Sequence, residues 1–252
     1  MKRTLIVAVA AIALLAGCSS APAPSPSGSP APEASAPAED LSGVSVYYPV
    51  ALGNTWTYQI NNPDPVGVVI QTETMSAVTP DGDDVRVMID RSFRYENGAY
   101  PDFTDSVEYV FHADGSLSVP YQSIPDTSGA QVTIKSGEFL WPSTAEFEAG
   151  TPKTGVIEAT IEADGSTFDQ AISFTITGHG VEEVTVPGGT FQARKLTQDM
   201  LISIPSAGLD GLPINATVWL AEGVGQVRSE VPDLLGSGTS VTVELLKFTP
   251  GS

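Results

Sequence analysis

Outside its carboxylates, this 252-residue sequence holds few side chains able to do chemistry: one thiol, Cys18, and two imidazoles, His112 and His179, beside 30 acidic and 11 basic residues. Nucleophilic catalysis at a serine needs a neighbouring base, and each histidine reads as a turn residue: His112 precedes Asp114-Gly115, and His179 stands between Gly178 and Gly180. No strand-to-helix elbow of the Gly-x-Ser-x-Gly type accompanies them. Paired carboxylates could hydrolyse glycosides, but among 30 acids some pair must fall close together by chance. The run Asp81-Gly82-Asp83-Asp84 offers clustered oxygens without the distal bidentate glutamate of a calcium loop, and it reads as an acidic hairpin tip. No His/Cys spacing fits zinc, and no glycine-rich loop has nucleotide-binding spacing. The expectation is a protein that is not an enzyme and carries no cofactor or metal.

The thiol has a different context. Lys2 and Arg3 precede an apolar run from Leu5 to Ala16, which Leu15-Ala16-Gly17-Cys18 closes. A spanning helix needs about 17 to 25 apolar residues, so this run is too short and reads as a cleaved secretory signal. The Leu-Ala-Gly-Cys end resembles the lipobox of bacterial lipoproteins. That resemblance implies diacylglycerol on the Cys18 sulfur, cleavage after residue 17, and acylation by chains such as palmitate. The lipid bilayer, reached through Cys18, is then the first expected partner. Its location would be extracytoplasmic and membrane-anchored, at the periplasmic face or the cell surface. Cys18 is the only cysteine, so the exported part can form no internal disulfide and must be held by buried apolar surface.

Residues 18–42 are Pro, Ala, Ser and Gly with few charges, a composition that cannot build a core. At about 3.1 Å per residue in the extended form that proline favours, this linker reaches up to roughly 70 Å from the bilayer. The formal charge of -19 repels phosphate backbones, which argues against a nucleic-acid partner.

From residue 43 to 252 the elements that must position any site are strands. Trp56, Tyr58 and Ile60 alternate with polar residues, as do Val85, Val87 and Ile89; Val107, Tyr109 and Phe111; Ile157, Ala159 and Ile161; Ile172, Phe174 and Ile176; and Val241, Val243 and Leu245. Asp81-Gly82, Asn97-Gly98, Asp114-Gly115, Asp164-Gly165 and Asp210-Gly211 can turn the chain between them. The clearest hairpins join 156–163 with 167–177 and 107–112 with 116–119. No long helical period follows the linker. A total of about ten to twelve strands is more than a flat open sheet holds, so the expectation is an all-β domain with one curled antiparallel sheet, a barrel or half-barrel, or alternatively a two-sheet sandwich.

Two stretches carry a family resemblance: Tyr47-Tyr48-Pro49-Val50 with Gly53-Asn54-Thr55-Trp56-Thr57-Tyr58, and Val184-Thr185-Val186-Pro187-Gly188-Gly189-Thr190-Phe191 with Trp219 to Gly225 downstream. They resemble TapB-like and related domain-of-unknown-function envelope lipoproteins, distantly similar to the open barrels of the carriers LolA and LolB. The resemblance implies a curled β domain and no catalytic residue.

One apolar segment stands apart. Between Met200 and Ile214, Pro205, Gly208, Gly211 and Pro213 read as an irregular loop carrying Leu209, Leu212 and Ile214. These three are candidates for the rim of a ligand site, or for a plug at one end of the domain. Leu234 and Leu235 form a second apolar loop. The function expected is binding of an apolar small molecule or another envelope component; the alternative is a structural or assembly module with no small ligand, and a hydrolase is the distant third. Because Cys18 carries the only acylation point, Cys18→Ala is expected to abolish incorporation of labelled palmitate while export persists. Undiminished labelling would place the lipid elsewhere.

Overall fold

The computed structural model describes residues 46–63, 65–98, 100–119, 131–163, 166–232 and 240–251. Cys18, the linker, Leu234, Leu235 and the Asp164-Gly165 turn lie outside them. Thirteen strands are formed: β1 (Thr55–Asn61), β2 (Val68–Asp81), β3 (Asp84–Tyr95), β4 (Phe103–Phe111), β5 (Leu117–Val119), β6 (Gln131–Ser136), β7 (Phe139–Trp141), β8 (Lys153–Ala163), β9 (Ser166–Val186), β10 (Gly189–Ile204), β11 (Leu209–Ala221), β12 (Gly225–Pro232) and β13 (Ser240–Thr249). Among the described residues one short α-helix, α1 (Thr144–Ala149), precedes β8; Ser143 and Glu146 form its capping box.

All thirteen strands belong to one antiparallel sheet in the order β6-β8-β9-β10-β11-β12-β13-β1-β2-β3-β4-β5-β7. It consists of two meanders, β1 to β5 and β8 to β13, joined by the pairing of β1 with β13 from Thr55↔Thr249 to Asn61↔Thr242. Both expected hairpins are present, as β8–β9 and β4–β5. The alternation works as the sequence suggests: Trp56, Tyr58, Ile60, Val87, Ile89, Ile157, Ile172, Ile176 and Val243 all lie in one continuous buried cluster. Each such aliphatic side chain removed from water is worth about 1.5–3 kcal/mol, which supplies the stability a disulfide-free domain needs.

The two edges of the sheet, β6 and β7, are consecutive in the chain with only Gly137 and Glu138 between them. No pairing joins them, and the ladder does not close. The barrel expected as one alternative is corrected to an open sheet, and among the described residues no second sheet makes a sandwich. β6 and β7 are not paired with each other: β6 pairs with β8 and β7 with β5. The ends nonetheless meet through packing: Phe139 on β7 lies 4.8 Å, centroid to centroid, from Phe174 on β9. The sheet is thus curled until its first and last strands share an interior.

Trp56 anchors this interior. It is fully buried, stacks on Phe248 at 5.3 Å, and donates from Nε1 to the Val224 carbonyl at 2.6 Å. Asn54 donates from Nδ2 to the Pro49 carbonyl and accepts from the Gly251 amide, so the start of β1 holds both ends of the folded region. Pro49, Asn54, Trp56 and Val224, all within the motifs quoted above, serve here to hold the fold.

Gly137 has φ +83°, and a Cβ there would run into the Val156 carbonyl oxygen. Gly82, at φ +66°, has open space around it. Gly82→Ala is expected to cost only the left-handed backbone penalty, about 1–2 kcal/mol, and Gly137→Ala more, because the bend between the two edges must also shift. Chemical denaturation midpoints of the two variants check this; equal costs would show that the bend is not under constraint.

Candidate ligand-binding site

The inner face of the sheet is not uniformly apolar. On β2 the buried positions run Val69, Gln71, Glu73, Met75, so two polar side chains stand in phase with the core. Glu73 lies opposite Trp56 on β1 and Arg91 on β3, and Arg91 lies opposite Asp105 on β4. The register therefore builds a buried row of Glu73, Arg91 and Asp105. Arg91 forks onto Asp105 with two bonds of 2.7 and 2.8 Å, the bidentate geometry that a planar guanidinium suits.

Glu73 is left less well served. Only 6% exposed, it accepts one hydrogen bond, from Gln71 Nε2 at 2.7 Å, and no described residue bonds its Oε2. Burial raises its pKa above the ordinary 4.5; the Arg91 charge and the Gln71 bond oppose this, and Asp105 adds to it. Tyr48, Tyr58 and Tyr109 stand nearby, and no described residue hydrogen-bonds their hydroxyls. Their own pKa values are pushed up by burial first and by the Glu73 charge second, so they remain neutral phenols.

Together these groups line a cavity of about 70 Å³ inside the curled sheet, with Trp141 and Phe147 completing an aromatic wall and Gln226 on its floor. Gln226 Nε2 reaches Ser229, while its Oε1 is buried with no partner. Water needs roughly 10–15 Å³ measured this way, so the space takes several waters or one small group. Pockets that swallow a drug-sized ligand run to roughly 300–1,000 Å³. This one fits the end of a molecule.

The segment expected to form the rim is placed elsewhere. Residues 200–214 are a strand hairpin, not a loop: Met200↔Ile214, Ile202↔Leu212 and Ile204↔Leu209 pair across β10 and β11, joined by one 3-10 turn at Pro205–Ala207. Gly211, at φ +80°, falls where the register slips, in a bulge of β11 where the sequence suggested a turn. Ile214 is fully buried and Leu209 and Leu212 pack half-buried on the core. None of the three lines this cavity.

The histidines have partners that local sequence does not reveal. His112 Nδ1 lies 3.1 Å from Asp84 Oδ2, and its Nε2 lies 3.0 Å from Ser118 Oγ. Those are the contacts of a Ser-His-Asp relay. However, Ser118 is only 2% exposed, and it alternates with Leu117 and Val119, which face the cavity, so its hydroxyl points to the other side of β5. A nucleophile must reach its carbonyl, and this one is closed in. His179 bonds Thr197 at an exposed position. Asp81 pairs with Arg86 at 2.7 Å in the acidic hairpin tip, and among the described residues no group of three or more His, Cys, Asp or Glu is placed to hold a metal.

The class defined by these features is an open, curled antiparallel β sheet enclosing a small aromatic cavity with a carboxylate in its wall. The chain belongs to the DUF3108-like family, whose model matches residues 104–243. A protein of Bacteroides fragilis named as exported and as having a YmcC-like fold is similar over 82% of this chain and 100% of its own, with 14% identity and a TM-score of 0.55. A protein of Parabacteroides distasonis named as a lipoprotein is similar over 81% of this chain and 99% of its own, with 14% identity and a TM-score of 0.58. These likenesses establish the fold. No curated protein matches the chain. Asp105, Tyr109 and Gln226 fall inside the family match; Tyr58, Glu73 and Arg91 fall before it.

A carboxyl whose folded pKa is raised binds its proton more tightly folded than unfolded. Glu73 therefore costs no stability while it is protonated in both states. Its cost grows as pH rises from the unfolded value of about 4.5 and is complete above the folded value. Glu73→Gln, a mimic of the protonated form, is expected to match the wild type in acid and to exceed it in stability at neutral pH. Denaturation across that range checks it, and a pH-independent difference would refute the assignment.

Proposed function

We propose that this protein is an extracytoplasmic lipoprotein, anchored through acylated Cys18, whose β domain binds the end of an apolar molecule without catalysing a reaction. The supporting observation is the cavity: an aromatic-walled space that the domain's own side chains leave unfilled, in a molecule otherwise packed to a continuous core. The signal and lipobox pattern supports the address, as do the names of the two structural relatives, one exported and one a lipoprotein. Among the described residues no helix is long and apolar enough to cross a membrane. The distant resemblance to the LolA and LolB carriers, which implies a curled open barrel, fits the same reading.

The closed position of Ser118 supports the non-catalytic reading over the hydrolase one. An assembly module with no small ligand remains the rival, and the cavity is the feature that favours binding. The test uses the chain from Ser19 onward, made without its anchor. Titration with 1-hexanol, followed by amide NMR, is expected to shift residues around Tyr58, Glu73 and Tyr109. Thr144→Phe, which places a ring at the cavity wall, is expected to weaken those shifts. A fluorophosphonate is expected to leave Ser118 unlabelled. Labelling of Ser118, or shifts spread evenly over the surface, would overturn the proposal.

A further inference from the structure

We propose that the cavity is selective for a positively charged hydrogen-bond donor, so that the molecule it takes enters by an ammonium group. This rests on the ligand-binding reading above and specifies its chemistry.

Four observations converge. First, Glu73 Oε2 and Gln226 Oε1, each on a side chain more than nine-tenths buried, are acceptors with no partner among the described residues, beside three phenol hydroxyls that can donate or accept. A buried acceptor without a donor is costly, and a ligand that donates to these two oxygens removes that cost. Second, the charge is not balanced within the protein. Arg91 spends its fork on Asp105, so ionised Glu73, Arg91 and Asp105 together leave one negative charge beside the cavity. Third, the wall is aromatic. Tyr48 sits 6.1 Å from Tyr109 and 5.3 Å from Trp56, and Tyr58, Trp141 and Phe147 contribute further rings. Ring faces attract cations, and rings around a carboxylate form the arrangement in which amines are held. Fourth, the size fits: about 70 Å³ admits an ammonium with its first methylenes, not a bulky headgroup.

A carboxylate ligand would meet Glu73 with like charge, and a neutral alcohol would gain only one of the attractions. Arg91 is not a competing anion site, since Asp105 already accepts its fork. The groups facing Glu73 are Arg91, Asp105, Tyr48, Tyr58 and Tyr109. Among these carboxyl and phenol groups, Glu73 is the one whose ionisation creates the unbalanced charge. Binding of an ammonium should therefore strengthen as pH rises through the Glu73 transition, whereas binding of an alcohol should not follow it.

The experiment titrates the chain from Ser19 onward with hexylammonium, 1-hexanol and hexanoate, three probes of nearly equal length, by amide NMR. Hexylammonium is expected to bind on the order of tenfold more tightly than 1-hexanol at neutral pH, and hexanoate more weakly than either. Glu73→Gln should erase the preference for hexylammonium over 1-hexanol, and its melting curve shows whether it folds. If that variant fails to fold, the wild-type order of the three probes and its pH dependence still decide. Equal binding of hexylammonium and 1-hexanol would overturn the cation inference and leave the apolar-ligand reading standing. Binding of none of the three would overturn both.

Discussion

The two outer strands of the sheet, β6 and β7, are separated in the chain by only Gly137 and Glu138. That covalent link governs the rest of the molecule. Thirteen twisted strands laid side by side would carry their edges far apart, yet the three steps from Ser136 to Phe139 can span only about 11 Å. The sheet must therefore curl until its edges come together, and the bend must be tight enough that a side chain at Gly137 would strike the Val156 carbonyl. Hydrogen bonds do not seal the seam; packing of Phe139 on Phe174 does. A sheet curled this far has an interior of fixed girth, and inward side chains fill it only where their sizes suffice.

The places where they do not suffice coincide with breaks in the polar pattern. Gln71, Glu73 and Arg91 occupy inward positions that the strand period reserves for apolar residues. Arg91 and Asp105 satisfy one another, which makes their burial tolerable. Glu73 has one hydrogen bond, from Gln71, and burial still keeps its pKa raised, a state that a leucine or methionine at the same position would avoid. Violations of the local pattern that bring no gain in stability concentrate at sites of function, and this one faces the cavity.

Alternation made much of the architecture legible in advance. Trp56, Tyr58 and Ile60 announced β1, and Ile157 with Ile172 announced the β8–β9 hairpin, because one-sided burial imposes a period of two whatever the neighbours are. What lay between distant strands was not legible. The β1–β13 pairing, the edge position of β6 and β7, and the approach of Asp84 and Ser118 to His112 all depend on which strands meet, and no local pattern encodes that. Residues 200–214 misled for a different reason: Pro205, Gly208, Gly211 and Pro213 look like loop chemistry, but a single 3-10 turn and one bulge absorb them within the β10–β11 hairpin. The candidate site left one trace, the in-phase run Val69, Gln71, Glu73, Met75, whose two polar members are out of place on an inward face.

The Asp84–His112–Ser118 chain gains its meaning from that geometry. β5 has three residues and meets β4 through only two register pairs, Val110↔Ser118 and Phe111↔Leu117. Its other side pairs with the equally short β7, at Leu117↔Trp141, Ser118↔Leu140 and Val119↔Phe139, and Leu117 and Val119 form part of the cavity wall. His112 bonds Ser118 on one side and Asp84, the first residue of β3, on the other, tying β5 across β4 to a long hairpin that is itself firmly placed. An imidazole with a carboxylate behind it is a well-oriented hydrogen-bonding group whether or not it activates a nucleophile, and here the hydroxyl it meets is enclosed. The same three residue types that form a catalytic relay when the serine is open thus serve, on the far side of this strand, to hold a wall of the cavity in position.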